Sequence, residues 1–326
     1  MSDQSRRLPD QFTEPGTGRR INLLDYKAAN MRGSWFLALF TMGLLVATAY
    51  LLAQVTDPAA SLFFIGVALI IGAGQAVAGF WFSDKIALAA SGARPATVEE
   101  HRYLVNVSEA VAIGAGVPMP KVYVIDSPAP NAFATGRDPN HSTIAVTTGL
   151  LQLLDRQELE GVIAHEMAHI RNYDIRFMSM LVATLGALLV LRDLVMRWSF
   201  FGGMSGGSRG SSRRNSSGGG GKGQGIAMIL LLVLLVVGPI LGALARMAVS
   251  RRREYLADAS GAFITRNPEG LARALEKLRG YSGERLQVSE GVRSLFFVNP
   301  ELQLNATGLL ATHPPIEERI SRLRRM

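Results

Sequence analysis

The chain has 326 residues, 34 of them lysine or arginine against 26 aspartate or glutamate, for a formal net charge of +8; 48% are hydrophobic and none is cysteine. The missing cysteine excludes disulfides and thiolate metal ligands. The apolar residues fall in long runs with basic residues at their edges and no aromatic-basic platform, which speaks for membrane spans and against a nucleic-acid partner.

The runs 34–55 and 61–82 are each about 22 residues long and free of charge, and a membrane span needs roughly 20. The segment before them carries Arg6, Arg7, Arg19, Arg20, Lys27 and Arg32, while the turn 56–60 carries no basic residue. The positive-inside rule then places the N-terminus and the region after residue 82 in the cytosol. Ala47-Thr48-Ala49 looks like a signal-peptidase site, but the apolar run continues through it and the polar leader is long, so a retained anchor is expected. Asp84-Lys85 reads as a pair at the membrane boundary.

Thr97 and Glu100 form a capping pattern for a helix over 98–113, closed near Gly114 and Gly116. The β-branched stretches 121–125 and 143–148 predict strands. Asp155 and Glu158 cap a further helix, which carries "HEMAH" at 165–169. The run 177–191 is a weaker span, closed by Arg192 and Asp193. The Gly/Ser-rich, basic stretch 202–225 reads as a flexible linker. The run 226–245, with Gly238-Pro239 inside it and Arg251 to Arg253 after it, reads as a span leaving into the cytosol. The runs flanking the linker form either a re-entrant pair or two full spans; two spans are expected, which puts a basic loop outside. Asn267-Pro268 opens a helix that Gly280 ends, and a last basic helix after Pro314-Pro315 carries Ile316, Ile320 and Leu323 on one face. The fold class is α+β: a multi-span helical membrane protein with a cytosolic, mainly helical enzyme domain. It divides into a leader 1–33, a membrane hairpin 34–82, a region 83–176 with the histidine helix, a second hairpin 177–249 and a C-terminal region 250–326.

Positions i and i+4 share one face of a helix, so His165 and His169 can present two imidazoles to one metal ion, with Glu166 beside them toward a water. Without cysteine, zinc must take histidine nitrogen and carboxylate oxygen, from three protein ligands plus an open position. Glu254 and Asp258, again i and i+4, supply the candidate third ligand and a carboxylate to hold a ligand imidazole through its free N–H. His101 and His141 have no partner at ligand spacing and read as surface residues.

With "SDKIAL" at 83–88, "NAFATG" at 131–136, "HEMAH" at 165–169, "EYLAD" at 254–258 and "THPPIEER" at 312–319, the chain resembles the HtpX-type membrane-bound zinc metalloproteases, a heat-shock protease family related to the CaaX prenyl endopeptidases. The resemblance implies a gluzincin-like catalytic core facing the cytosol. It implies one zinc per chain on His165, His169 and Glu254, with Glu166 as the general base toward a water whose pKa zinc lowers from about 15.7 toward 7. It also implies cleavage of misfolded or damaged membrane proteins in quality control. His313 and Arg319 are candidate donors to the tetrahedral oxyanion, as a His and Arg of this spacing are in the related prenyl endopeptidases. Asn131, Ala132, Phe133, Ala134 and Thr135 resemble the family's substrate-binding edge, where an extended peptide adds as a strand. Richness in alanine, arginine and glycine points to a GC-rich bacterial genome, hence a multi-pass protein of the cytoplasmic (inner) membrane. The expected partners are membrane or unfolded proteins and the lipid bilayer; no signal for an oligomeric state is present. The rival readings are a membrane scaffold with a degenerate motif and a prenyl endopeptidase, which the small number of hydrophobic segments makes less apt.

Overall fold

The computed structural model of the chain describes residues 11–13, 20–204, 251–283, 297 and 314–326. Almost all of the 202–225 stretch, the run 226–245 and His313 lie outside the described residues. Strands β1 (Gln11–Thr13) and β2 (Arg20–Asn22) pair antiparallel and lead into helix α1 (Leu23–Thr56). Asn22 caps α1 by accepting the Leu24 N–H at 3.0 Å. The helix starts well before residue 34, the start expected from hydropathy: Asp25, Lys27 and Arg32 ride its first turns, and hydropathy registers only the charge-free remainder. The stretch 23–33 of the predicted leader is therefore helical.

Asp57 ends α1 and caps the 3-10 turn Pro58–Ala60, from which α2 (Ser61–Trp81) returns. Among the described residues, two helical stretches, Leu23–Leu51 and Pro58–Trp81, are long and apolar enough to cross a membrane. They are no buried core pair, since Leu39, Leu62, Phe63 and Ile70 are exposed, Leu62 at 83%. Exposed apolar surface on this scale marks an interaction with something apolar. Helix α7 (Asp174–Met204) contains the predicted run 177–191 and packs on both α1 and α2. Its 31 residues reach about 46 Å at 1.5 Å per residue. The contacts use small residues: a Cβ on Gly79 would lie 2.6 Å from that of Ala183, and one on Gly33 2.9 Å from the Phe177 ring.

Beyond α2 come α3 (Ser83–Ser91), β3 (Arg94–Pro95) and α4 (Val98–Ala115). Thr97 caps α4 and Gly116, at φ 64°, closes it, both as the sequence predicts. Strand β4 (Lys121–Ile125) matches its predicted range, and β6 (His141–Thr147) starts two residues early. Between them, β5 (Ala132–Asp138) is a strand that sequence reading does not predict. The sheet order is β3-β4-β6-β5, with β4 parallel and β5 antiparallel to β6, so β5 is an edge strand. Gly136, at φ 138°, sits at a bulge where a Cβ would run into the His141 carbonyl.

Helix α5 (Thr148–Leu153) leads to α6 (Arg156–Arg171), the centre of the domain. A full capping box opens α6: Asp155 accepts the Glu158 N–H and Glu158 accepts the Asp155 N–H, at 3.0 and 2.8 Å. Residues 161–168 are all buried, because α4, β5, α8 (Arg251–Thr265) and α9 (Pro268–Gly280) surround the helix. Leu159, Ile163 and Met167 meet Leu104 and Val111 of α4, Ile144 of β6, and Leu271 and Leu275 of α9 in one core. Each such side chain contributes about 1.5–3 kcal/mol when fully buried, so α6 is held from all sides. The last helix, α10 (Ile316–Leu323), places Ile320 and Leu323 in the same core.

Candidate metal centre

Helix α6 carries His165 and His169 one turn apart, and α8 lies against it with Glu254 facing both. This close approach needs Gly261, where a Cβ would stand 3.1 Å from the His165 backbone nitrogen. His165 Nε2 and His169 Nε2 are 3.1 Å apart. The Glu254 carboxylate oxygens stand 3.7 Å from the first and 3.8 Å from the second. A tetrahedral zinc with bonds of about 2.0–2.1 Å separates its ligand atoms by about 3.3–3.4 Å, so these donors lie near the required spacing.

The opposite ring nitrogens fix the tautomers. His165 Nδ1 is 2.9 Å from Asp258 Oδ1, and His169 Nδ1 is 2.9 Å from Asp174 Oδ2. With both Nδ1–H groups donating to carboxylates, His165 Nε2 carries a lone pair, and His169 Nε2 offers one toward the same point once it gives up its proton. Without a metal, a proton on His169 Nε2 bridges the two nitrogens at 3.1 Å; a metal cation would take that proton's place between them. The donor chemistry thus fits a divalent metal held by two imidazoles and a carboxylate, with each imidazole backed by an acid.

Burial and charge separate the titrating groups. Burial pushes the His165 imidazole down to about 4, against the pull of Asp258. Burial also opposes charge on His169, but the hydrogen bond and charge of Asp174, with Glu254 and Glu166 nearby, raise it to about 9. Glu166 is 2% exposed; burial raises its carboxyl to about 7, although the Ala134 backbone N–H donates to it. Its neighbour along the edge, the Ala132 carbonyl, accepts the Phe297 N–H at 2.8 Å.

Arg319 does not extend toward open space. It is 1% exposed and grips Asp258 with two hydrogen bonds, Nε to Oδ2 at 2.8 Å and Nη2 to Oδ1 at 2.7 Å. Burial opposes its charge, and Asp258 outweighs that; the same pair keeps Asp258 below the usual carboxylate range despite its burial. The guanidinium thus backs Asp258 behind the His165 imidazole, with Nη2 3.4 Å from His165 Nδ1 and Nη1 3.6 Å from Glu254 Oε2. Of the edge residues, Ala132 and Ala134 point into the main core, Phe133 into a second core with Ala145 and Val182, and Thr135 toward Ser179. Asn131 is bound to Thr147 through its backbone. What 131–135 offer toward Glu166 is thus backbone.

Three neighbours escape sequence reading: Asp174, Arg253, whose Nε is 3.1 Å from Asp174 Oδ1, and Phe297, whose ring centroid is 4.8 Å from that of His165. Asp174 follows His169 by five residues, beyond the reach of one helical face. It returns because Tyr173, at φ 60°, turns the chain between α6 and α7. His141 is exposed and pairs with Asp138, and His101 lies at a kink in α4; neither is near the cluster's ligands.

A helix with two histidines, a buried glutamate between them and a second carboxylate from a facing helix make the chain a metallopeptidase, a hydrolase of peptide bonds. It belongs to peptidase family M48, whose family model matches residues 99–326. It is 42% identical over 303 residues to a "Protease HtpX homolog" of Caldanaerobacter subterraneus subsp. tengcongensis, covering 93% of this chain and 97% of that one. A protein of the same description from Listeria monocytogenes is 45% identical over 262 residues, covering 80% and 86%. The one from Thermoanaerobacter pseudethanolicus is 46% identical over 242 residues, covering 74% and 78%. Among solved structures, Ste24p of S. mikatae aligns with a TM-score of 0.48 at 23% identity, over 92% of this chain and 67% of that one.

Proposed function

We propose that the chain is a zinc-dependent endopeptidase of a bacterial cytoplasmic membrane, cutting misfolded or damaged membrane proteins on the cytosolic side. The observation that carries the chemistry is the convergence of two acid-backed Nε2 atoms and Glu254 within 4.8 Å of one another. His165, His169 and Glu254 would hold the metal. Zinc there supplies a Lewis acid that makes a water a better nucleophile and polarises a carbonyl.

The protein's own groups do the rest. Glu166, raised to about 7, stands in the range where a carboxylate takes and returns a proton near neutral pH. It removes the proton of the attacking water and passes it to the leaving amine. Asp258 and Asp174 hold the two imidazoles in the tautomer that leaves Nε2 free. Arg319, bound to Asp258 and 3.6 Å from Glu254 Oε2, holds the Asp258 carboxylate in place as a positioning residue, and the oxyanion role that the family resemblance implies for it stays a proposal beside this one. His313 keeps the oxyanion role on its sequence position alone. The edge of β5 lies beside Glu166, and an extended peptide would lie along it by backbone hydrogen bonds, taking the Ala132 carbonyl from the Phe297 N–H and the Ala134 N–H from Glu166, which favours loose sequence preference.

Placement in a bilayer is supported by the exposed apolar faces of α1 and α2 and by the length of α7. The basic residues of α1's first turns support a cytosolic start. The test uses wild type and Glu166→Gln purified in detergent with chelator, then given zinc. Expected is cleavage of an unfolded membrane protein by wild type only, with one zinc per chain in both. A variant that cleaves as fast as wild type removes Glu166 from its role; a wild type that binds no zinc removes the metal reading.

A further inference from the structure

Asn30 lies near the start of α1, four residues before its charge-free part. It is 6% exposed. A buried amide needs partners, and this one finds them far along the chain. Its Nδ2 donates to the Asn172 carbonyl at 3.1 Å and to Asp174 Oδ1 at 2.7 Å. The other oxygen of Asp174 takes His169 Nδ1 at 2.9 Å. Two hydrogen bonds therefore link the first apolar helix to the second imidazole of the metal cluster.

The local structure serves this link. Tyr173 in its left-handed conformation brings Asp174 back beneath His169. Gly33 lets α1 lie against Phe177, one turn from Asn30. Arg253, next to Glu254 on α8, supplies the positive charge on Asp174 at 3.1 Å. The two imidazoles are thus aimed from different parts of the molecule. His165 takes its orientation from Asp258 and Arg319, on α8 and α10; His169 takes its orientation from Asp174, held by α1 and α8.

An apolar side chain at position 30 would pack α1 on α7 without burying an amide, so packing alone gives no reason for asparagine there. We propose that Asn30 is a positioning residue of the metal site: through Asp174 it fixes the direction of His169 Nε2, so that metal retention depends on how α1 is seated. This rests on the reading of His169 as a metal ligand. The carboxylate behind a ligand imidazole commonly changes metal affinity by about 10–100-fold when lost, and Asn30 acts one bond further out, so roughly 5- to 10-fold is expected.

The test uses full-length protein in detergent: wild type, Asn30→Leu, Asn30→Ser, Asp174→Asn, the double variant Asn30→Leu/Asp174→Asn, and Thr41→Val. Thr41 is the control, because its hydroxyl meets Thr184 across the same α1–α7 interface at 3.3 Å, away from the cluster. Zinc affinity is read by chelator competition, ligand geometry by the visible spectrum of the cobalt(II)-loaded protein, and folding by thermal midpoint. Expected is weaker zinc binding and altered cobalt bands for Asn30→Leu and for the shorter Asn30→Ser, with neither change for Thr41→Val. In the Asp174→Asn background, Asn30→Leu adds nothing. Wild-type affinity and spectrum in a folded Asn30 variant, or full additivity with Asp174→Asn, overturns the proposal. A wild type that binds neither zinc nor cobalt overturns it together with the ligand reading beneath it.

Discussion

Arg319 shows how one side chain separates stability from chemistry. It is fully buried; it binds both oxygens of Asp258 at 2.7–2.8 Å, and its Nη1 stands 3.6 Å from Glu254 Oε2. Arg319→Met leaves Asp258 buried beside His165 without its counter-charge. Breaking a buried pair in this way costs about 3–5 kcal/mol, and a lone carboxylate would draw a proton onto His165, which then no longer offers Nε2 as intended. Both thermal stability and zinc affinity should fall, the latter by about 10–100-fold. The double variant Arg319→Met/Asp258→Leu removes both charges. Stability should largely return, since apolar replacement of a buried pair is often neutral or better. Zinc affinity should not, because His165 Nδ1 has lost its acceptor. Thermal scans and chelator competition on the three proteins check this; recovery of zinc binding along with stability would reduce the pair to a packing element.

At the scale of elements, α6 is placed by close backbone contacts as much as by its apolar face. A Cβ on Gly161 would stand 2.7 Å from the Leu271 nitrogen and 2.8 Å from its Cα, both backbone atoms of α9. No side-chain rotation relieves that. Gly161→Ala should therefore destabilise by about 1–3 kcal/mol even though alanine favours helix by about 1 kcal/mol. Denaturant unfolding of the folded domain measures it, and a stabilised variant would mean that α9 sits less firmly on α6 than the structure has it. The sequence conveys much of this scale. The capping pairs at Thr97 and at Asp155/Glu158, the terminal glycine Gly116 and the β-branched run 121–125 are local signals, and each element starts or ends where its signal stands. Strand β5 is not legible, because Ala132, Ala134 and Gly136 lack β-branched side chains and their pairing with β6 is a tertiary fact. The cluster divides in the same way. His165, Glu166 and His169 show themselves by spacing on one helix. Glu254 needed a second motif, and Asp174 and Asn30 join only through a left-handed turn and a contact across 144 residues.

The molecule as a whole combines a densely packed enzyme core with a pair of apolar helices whose outer faces have no protein against them among the described residues. Ile70 is the sharpest case: it lies near the middle of α2 and is 74% exposed. The surroundings of that face decide what a charge there does. In water, exchanging an exposed isoleucine for arginine changes stability by no more than about 0.5 kcal/mol and improves solubility. At the centre of a bilayer, arginine costs about 2.5–3.5 kcal/mol where isoleucine gains about 0.3–0.6. Ile70→Arg should therefore lower the fraction of chain retained in alkali-washed membranes, while the same change at exposed Ile113, on α4 within the enzyme domain, leaves that fraction unchanged. A loss at both positions would indicate general misfolding, and no loss at Ile70 would remove α2 from the bilayer. The paired outcome also bears on the metal site, because α1, which carries Asn30 to Asp174, packs directly against α2 along Met42 and Gly72. If α2 requires lipid to hold its place, the support behind His169 requires it too, and zinc retention should fall in Ile70→Arg but hold in Ile113→Arg.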